Sequence, residues 1–154
     1  MTRNPLILLA TLGSAGLLAG AFAFQYIGGL APCQLCLYQR WPHAAAVLIG
    51  VVVLATGWRG LAWAGALAAL ATATVGVFHV GVEQMWWEGL ATCTVNTMAG
   101  LSGSDLLNTE ITVGAPAACD KIAWSMFGIS MPGWNVILSL GLALIWVKAA
   151  LSRA

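Results

Sequence analysis

Charged side chains are missing from four long stretches of this chain: between Arg3 and Arg40, from Trp41 to Trp58, from Gly60 to Val82, and from Ile122 to Val147. A helix rises about 1.5 Å per residue, so roughly 20 apolar residues cross about 30 Å of hydrocarbon. Four crossings are therefore expected: Pro5 to about Phe24, Leu37 to about Thr56, Leu61 to about Val82, and Pro132 to about Leu151. The second is the weakest, because it reaches full length only by taking in residues before Arg40 or Pro42. The runs are Ala- and Leu-rich and lack the alternation of barrel strands, which makes them helices. With 60% of the 154 residues hydrophobic and only 7% charged, against roughly 25% charged in soluble domains, the chain cannot cover a water-facing surface. A soluble enzyme, a disordered chain and a nucleic-acid binder are excluded, and a net charge of +1 offers no basic stripe. The expected fold is an all-α membrane protein. Residues 1–154 form one integral domain, a four-transmembrane-helix bundle with outer loops at about 25–36 and 83–131.

Gly57-Trp58-Arg59-Gly60 joins spans two and three as an antiparallel hairpin. Spans three and four are separated by a long stretch without clear period, expected as a loop with a short surface helix near Asn96 to Leu107; long loops inside compact domains are often functional. Gly16 and Gly20 make a small-xxx-small pair suited to close helix packing. Four spans place both termini and the short turn on one side, with Arg3, Arg59, Lys148 and Arg153 and no acid. The other side holds Arg40 and Lys121 against Glu83, Glu88, Asp105, Glu110 and Asp120. The positive-inside rule puts the termini in the cytoplasm. Trp58, Trp63 and Trp146 then fall near the inner interface, and Trp41, Trp86, Trp87 and Trp134 near the outer one. Arg3, the apolar run after it and Ala21 or Ala23 could also be read as a cleaved signal peptide. The run continues too long for that, and a retained first helix is expected.

All four cysteines fall on the outer side: Cys33 and Cys36 in the first loop, Cys93 and Cys119 in the long one. That confinement points to disulfide chemistry. Of the three possible pairings, Cys33–Cys36 with Cys93–Cys119 is the natural one, each closing within its own loop. A bond closing the longer loop could be a structural staple, but so short a loop as Cys33–Cys36 gains little. A C-x-x-C pair is usually redox or metal chemistry, and the wide spacing of the second pair speaks against zinc. No metal is expected. Cys36 sits where span two begins, near the positive end of the helix dipole, and Arg40 follows on the same face. Both favour thiolate, the reactive form. Arg40 at the mouth of a span marks a functional site unless it only snorkels to head groups. No nucleotide fingerprint is present, so a lipid-soluble carrier, a quinone, is the expected electron acceptor, with Arg40 hydrogen-bonding its carbonyl.

The run Pro32-Cys33-Gln34-Leu35-Cys36-Leu37-Tyr38-Gln39-Arg40 resembles the signature of the disulfide bond formation protein B (DsbB) family. Ala91-Thr92-Cys93 and Ala118-Cys119-Asp120, followed by Trp124, Phe127-Gly128 and Pro132, continue the likeness in order, and Gly76 to Trp87 is similar to alphaproteobacterial members. The resemblance covers roughly Gln25 to the C-terminus. It implies a multi-pass protein of the bacterial inner membrane with its cysteines on the periplasmic side. It also implies a thiol:quinone oxidoreductase, which reoxidises a DsbA-like periplasmic thiol oxidase at the expense of ubiquinone or menaquinone. By the resemblance, Cys93, paired with Cys119, is attacked by the partner's thiol. Cys119 then attacks Cys33, and the freed Cys36 engages the quinone, positioned by Arg40. Thiol exchange needs the sulfurs to approach in line, which Gly100, Gly103 and Gly114 in the long loop would allow.

His43 and His79 fall at similar depth near the outer ends of spans two and three. Together they could ligate a haem; the simpler expectation is that they cap polar groups or contact the quinone, and His79 is taken as cofactor-binding. Glu83 and Glu88 are expected as interfacial surface charges, with Glu83 able to orient His79 one turn away. Two other classes stand beside the oxidoreductase. A protein of the vitamin K epoxide reductase type carries its C-x-x-C on a late helix instead, and a non-catalytic scaffold would hold two structural disulfides.

Overall fold

The computed structural model describes residues 3–90 and 117–152. Cys93, the surface helix expected near Asn96 to Leu107, and Gly100, Gly103 and Gly114 lie outside the described residues. Among those described, the elements run α1 (Arg3–Tyr26), α2 (Gln34–Thr56), α3 (Leu61–Glu83), β1 (Ser125–Met126), β2 (Ile129–Ser130) and α4 (Met131–Leu151). All four helices are long and apolar enough to cross a membrane, and α2 has the lowest mean hydropathy, 1.3 against 1.7–2.0 for the others.

That weakest span is built from residues the hydropathy pattern undervalues. It begins at Gln34, upstream of the expected Leu37, because Cys33 caps it: the Cys33 backbone is extended (φ −77°, ψ 170°) and its sulfur accepts the Cys36 N–H. A cap of this kind satisfies one of the free N–H groups of the first turn. Pro42 therefore sits in the helix interior, where it withholds the N–H that Tyr38's carbonyl would otherwise receive. The helix ends at Gly57, whose φ of 72° lets its N–H close onto the Val53 carbonyl.

Each helix packs on two neighbours, α1 on α2 and α4, α3 on α2 and α4, which closes a four-helix ring. The end that carries the chain termini and the 57–60 turn is dry and alanine-rich: Ile7, Ala10, Val53, Ala62, Ala69, Ala143 and Ala149 surround Trp146. Trp146 is fully buried, not interfacial as its position in the sequence suggests. Gly65 makes the room, since a Cβ there would stand 2.6 Å from the indole. The other tryptophans expected at interfaces keep some exposure, Trp41, Trp86 and Trp58 most of all. Arg59 donates to the Ser152 carbonyl at 2.7 Å, tying the short turn to the end of α4.

Among the described residues, Gly16 and Gly20 do not pack a helix; a Cβ at either would meet nothing within 4 Å. They line a cavity between α1, α2 and α4. Beyond it, β1 and β2 form a hairpin with Ser125 opposite Ser130 and Met126 opposite Ile129. Phe127 (φ 54°) and Gly128 (φ 78°) make its two-residue turn, the conformation that matches strand twist. Positive φ is uncommon for a bulky residue, and the Phe127 ring is 87% exposed at the tip.

Candidate redox site

Because Cys33 caps α2 and Cys36 lies in its first turn, the helix itself brings the two sulfurs together, 2.8 Å apart, both as free thiols. Only about 0.8 Å separates that spacing from a disulfide bond. Cys33 is 4% exposed. Its hydrogen bond to Cys36, together with burial, pushes its thiol well above the usual range, so Cys33 keeps the proton.

The two thiols face different surroundings. Cys33 joins a buried cluster with Leu35, Val82 and Cys119, and an isolated parallel bridge pairs its backbone with Ala117. Cys119 is fully buried and disulfide-bonded. Residues distant in the chain, 33 and 117–119, thus share one wall at the mouth of the bundle. Cys36 packs against the edge of that cluster and, unlike Cys33, also lines the cavity, which has a volume of about 460 Å³ and is walled mostly by apolar side chains, among them Leu17, Phe24, Trp124, Pro132 and Trp134. Such a space suits a ring-shaped apolar ligand oriented by few polar groups.

Arg40 also lines the cavity. Its terminal nitrogens donate to the Gln25 side chain (2.5 Å) and the Ala21 carbonyl (3.3 Å) of α1, and its guanidinium lies 4.9 Å from the centre of the Phe22 ring. The arginine is therefore held in place, not snorkelling, and only its buried Nε–H lacks a partner among the described residues. Gln25 escaped notice in the sequence, where a glutamine at the end of a span reads as interfacial.

His79 is not one of the described residues that line the cavity. It stands behind Cys33, with Nε2 3.6 Å from the Cys33 sulfur and a hydrogen bond to the Cys119 backbone. Its Nδ1 accepts from Gln39 Nε2 at 3.0 Å, so the proton is on Nε2. Cys33, Cys36 and His79 lie within 4.8 Å of one another, a donor set with metal-ligating composition. The histidine nevertheless presents a proton to the sulfurs, not a lone pair. The haem reading loses support for the same reason, since both ring nitrogens of His79 are engaged with protein. Glu83 is not a surface charge: it is 9% exposed and bonded to the Ser130 side chain, whereas Glu88 is exposed. Nor does it orient His79, whose ring is held by Gln39 and Cys119.

Sequence reasoning passed over the polar side chains that connect these groups. Gln39 Oε1 accepts from Asn135 Nδ2 (2.7 Å), Asn135 Nδ2 also reaches Thr72 Oγ1 (3.1 Å), and Asn135 Oδ1 receives His43 Nε2 (2.9 Å) and Ser139 Oγ (3.2 Å). Inside a bilayer such groups are costly unless they satisfy one another, and here α2, α3 and α4 are cross-linked by them. The available signal was polar residues of three apolar spans falling at one depth.

A buried dithiol with a disulfide-bonded cysteine on one side and an apolar intramembrane cavity on the other belongs to the class of membrane-embedded thiol–disulfide oxidoreductases. The comparisons narrow the class. The family model for disulfide bond formation protein DsbB matches residues 3–149, and the chain belongs to that family. Proteins named disulfide bond formation protein B from Hahella chejuensis (28% identical, covering 99% of this chain and 96% of that one), Methylococcus capsulatus (33%, 88% and 86%) and Xanthomonas campestris (32%, 89% and 84%) are similar to it. No solved structure matches.

Proposed function

We propose that this protein takes electron pairs from a DsbA-like periplasmic thiol oxidase and passes them through its own cysteines to a membrane quinone. The observation that carries the reading is the division of the dithiol, Cys33 toward Cys119 and Cys36 toward the cavity. Cys93, paired with Cys119, receives the partner's thiolate. Cys119, released, attacks Cys33 of the Cys33–Cys36 bond, joining the loops and freeing Cys36 as thiolate. The partner's second thiol attacks the mixed disulfide and leaves oxidised, and the freed Cys93 attacks Cys119, which re-forms Cys93–Cys119 and releases Cys33. The reduced pair closes again as its two electrons and two protons pass to the cavity that Cys36 lines. Cys33 holds the proton of the reduced pair until the bond closes. His79 serves the dithiol as a positioning residue, offering its N–H to the Cys33 sulfur.

The cavity fits a quinone ring: its walls are apolar, the small residues Gly16 and Gly20 leave it open, and Arg40 Nε–H is a donor without another partner among the described residues. When bound, a quinone supplies a sink for two electrons and two protons. The same reading places the termini in the cytoplasm and the cysteines on the periplasmic side of a bacterial inner membrane. The test is quinone consumption by the purified full chain in detergent, with a reduced DsbA-like protein as donor. Turnover by the wild type and its loss in Cys36→Ala are expected; no turnover with either ubiquinone or menaquinone contradicts the proposal.

A further inference from the structure

The polar side chains between the helices have a direction, and two backbone carbonyls set it. The Leu35 carbonyl can only accept, and it takes Gln39 Nε2 at 3.1 Å, which turns Gln39 Oε1 toward Asn135. The Gln39 carbonyl likewise takes the Thr72 hydroxyl proton at 3.1 Å, leaving Thr72 Oγ1 as acceptor for Asn135 Nδ2. Both contacts fix the Asn135 amide with its oxygen toward His43. His43 must then carry its proton on Nε2, and its Nδ1 is a bare lone pair. That nitrogen is buried and has no hydrogen-bond partner among the described residues, on a residue 3% exposed that lines the cavity. Three residues earlier on α2, Arg40 is the converse: it lines the same cavity, and its buried Nε–H is a donor without a partner among the described residues.

A quinone oxygen accepts hydrogen bonds and cannot donate, so it suits Arg40 and leaves His43 Nδ1 unmatched. A hydroquinone hydroxyl does both. Resting on the quinone reading above, we infer that His43 is a specificity-determining residue for the redox state of the head group, accepting a hydrogen bond from the hydroquinone that the quinone cannot return. An unpaired buried acceptor is costly, so the site binds the reduced ring more tightly than the oxidised one, which favours electron transfer into the cavity and slows departure of the product.

The experiment measures binding, not turnover. In the full chain carrying Cys33→Ala and Cys36→Ala, which blocks electron exchange, ubiquinone-1 and ubiquinol-1 are titrated separately and anaerobically. The fluorescence of Trp124 and Trp134, both on the cavity wall, reports occupancy. The background chain is expected to prefer ubiquinol. His43→Gln keeps an N–H for Asn135 but has nothing at the Nδ1 position, and it is expected to lower that preference roughly ten-fold with little change for ubiquinone. His43→Asn, with an oxygen near Nδ1, is expected to retain part of it. Because each preference is a ratio within one variant, incomplete folding cancels. A ratio unchanged in His43→Gln, or equal binding of both forms by the background chain, overturns the inference and leaves the function standing. Binding of neither form by the background chain overturns both.

Discussion

At the scale of single residues, the two cysteines of one motif are made unequal by their place on the helix. Cys33 is the cap, buried against Cys119 and proton-bearing; Cys36 is in the first turn, half-buried and on the cavity. A reduced sample treated with iodoacetamide should therefore be modified at Cys36 first, with Cys33 spared into the mildly alkaline range, as read by peptide mass. Comparable rates at both would contradict the assignment of the proton to Cys33. The motif and Arg40 were legible in the sequence because cysteine and arginine are rare in apolar runs. The side of Cys33 on which His79 lies was not, since equal depth on neighbouring helices fits either a shared ligand or separate partners. Glu83 was misjudged for a related reason. A carboxylate at the end of a span looks interfacial until the β1–β2 hairpin before α4 brings Ser130 over it.

At the scale of elements, glycine has opposite uses in different helices, and the sequence gives no means of telling them apart. Gly65 on α3 is a seat for the Trp146 ring, whereas Gly16 and Gly20 on α1 leave open space. Gly65→Val should cost about 1–3 kcal/mol through overpacking, seen as a lower thermal midpoint in detergent. Gly20→Leu should leave that midpoint unchanged or raised, because it meets no neighbour and improves helix propensity, yet weaken quinone binding at least ten-fold by filling the cavity. The reverse pattern would mean that α1 packs where the cavity is placed here. The α2 boundary shows a second limit of pattern reading. Gln39, Arg40, Pro42 and His43 depress its hydropathy, and each is accommodated by a partner that only tertiary structure reveals, apart from Pro42, whose lost hydrogen bond the helix simply forgoes.

Across the whole molecule, the bundle is divided by depth. The half that holds the termini is a dry core of alanines around Trp146; the half that holds the dithiol has the cavity, the polar cross-links and the hairpin. The number of helices and their order followed from the gaps between charges, because a bilayer admits few alternatives. The hairpin at Phe127-Gly128 did not, since its strands are only two residues long. The positive residues Arg3, Arg59 and Lys148 mark the dry end, so a fluorescent protein fused to the C-terminus should fold and emit, and alkaline phosphatase at the same place should stay inactive; the opposite pair of results would invert the topology.

In the proposed relay, electrons enter the buried dithiol from Cys119 at Cys33 and leave from Cys36. If the donor lacks its second thiol, the mixed disulfide with Cys93 cannot be resolved, so the bond between Cys33 and Cys119 should persist. The direct measurement is peptide mapping, under non-reducing conditions, of the oxidised full chain after exposure to a reduced DsbA-like donor that carries only its attacking cysteine. A Cys33–Cys119 linked peptide with Cys36 as free thiol is predicted; Cys33 recovered wholly in a Cys33–Cys36 bond would contradict the relay.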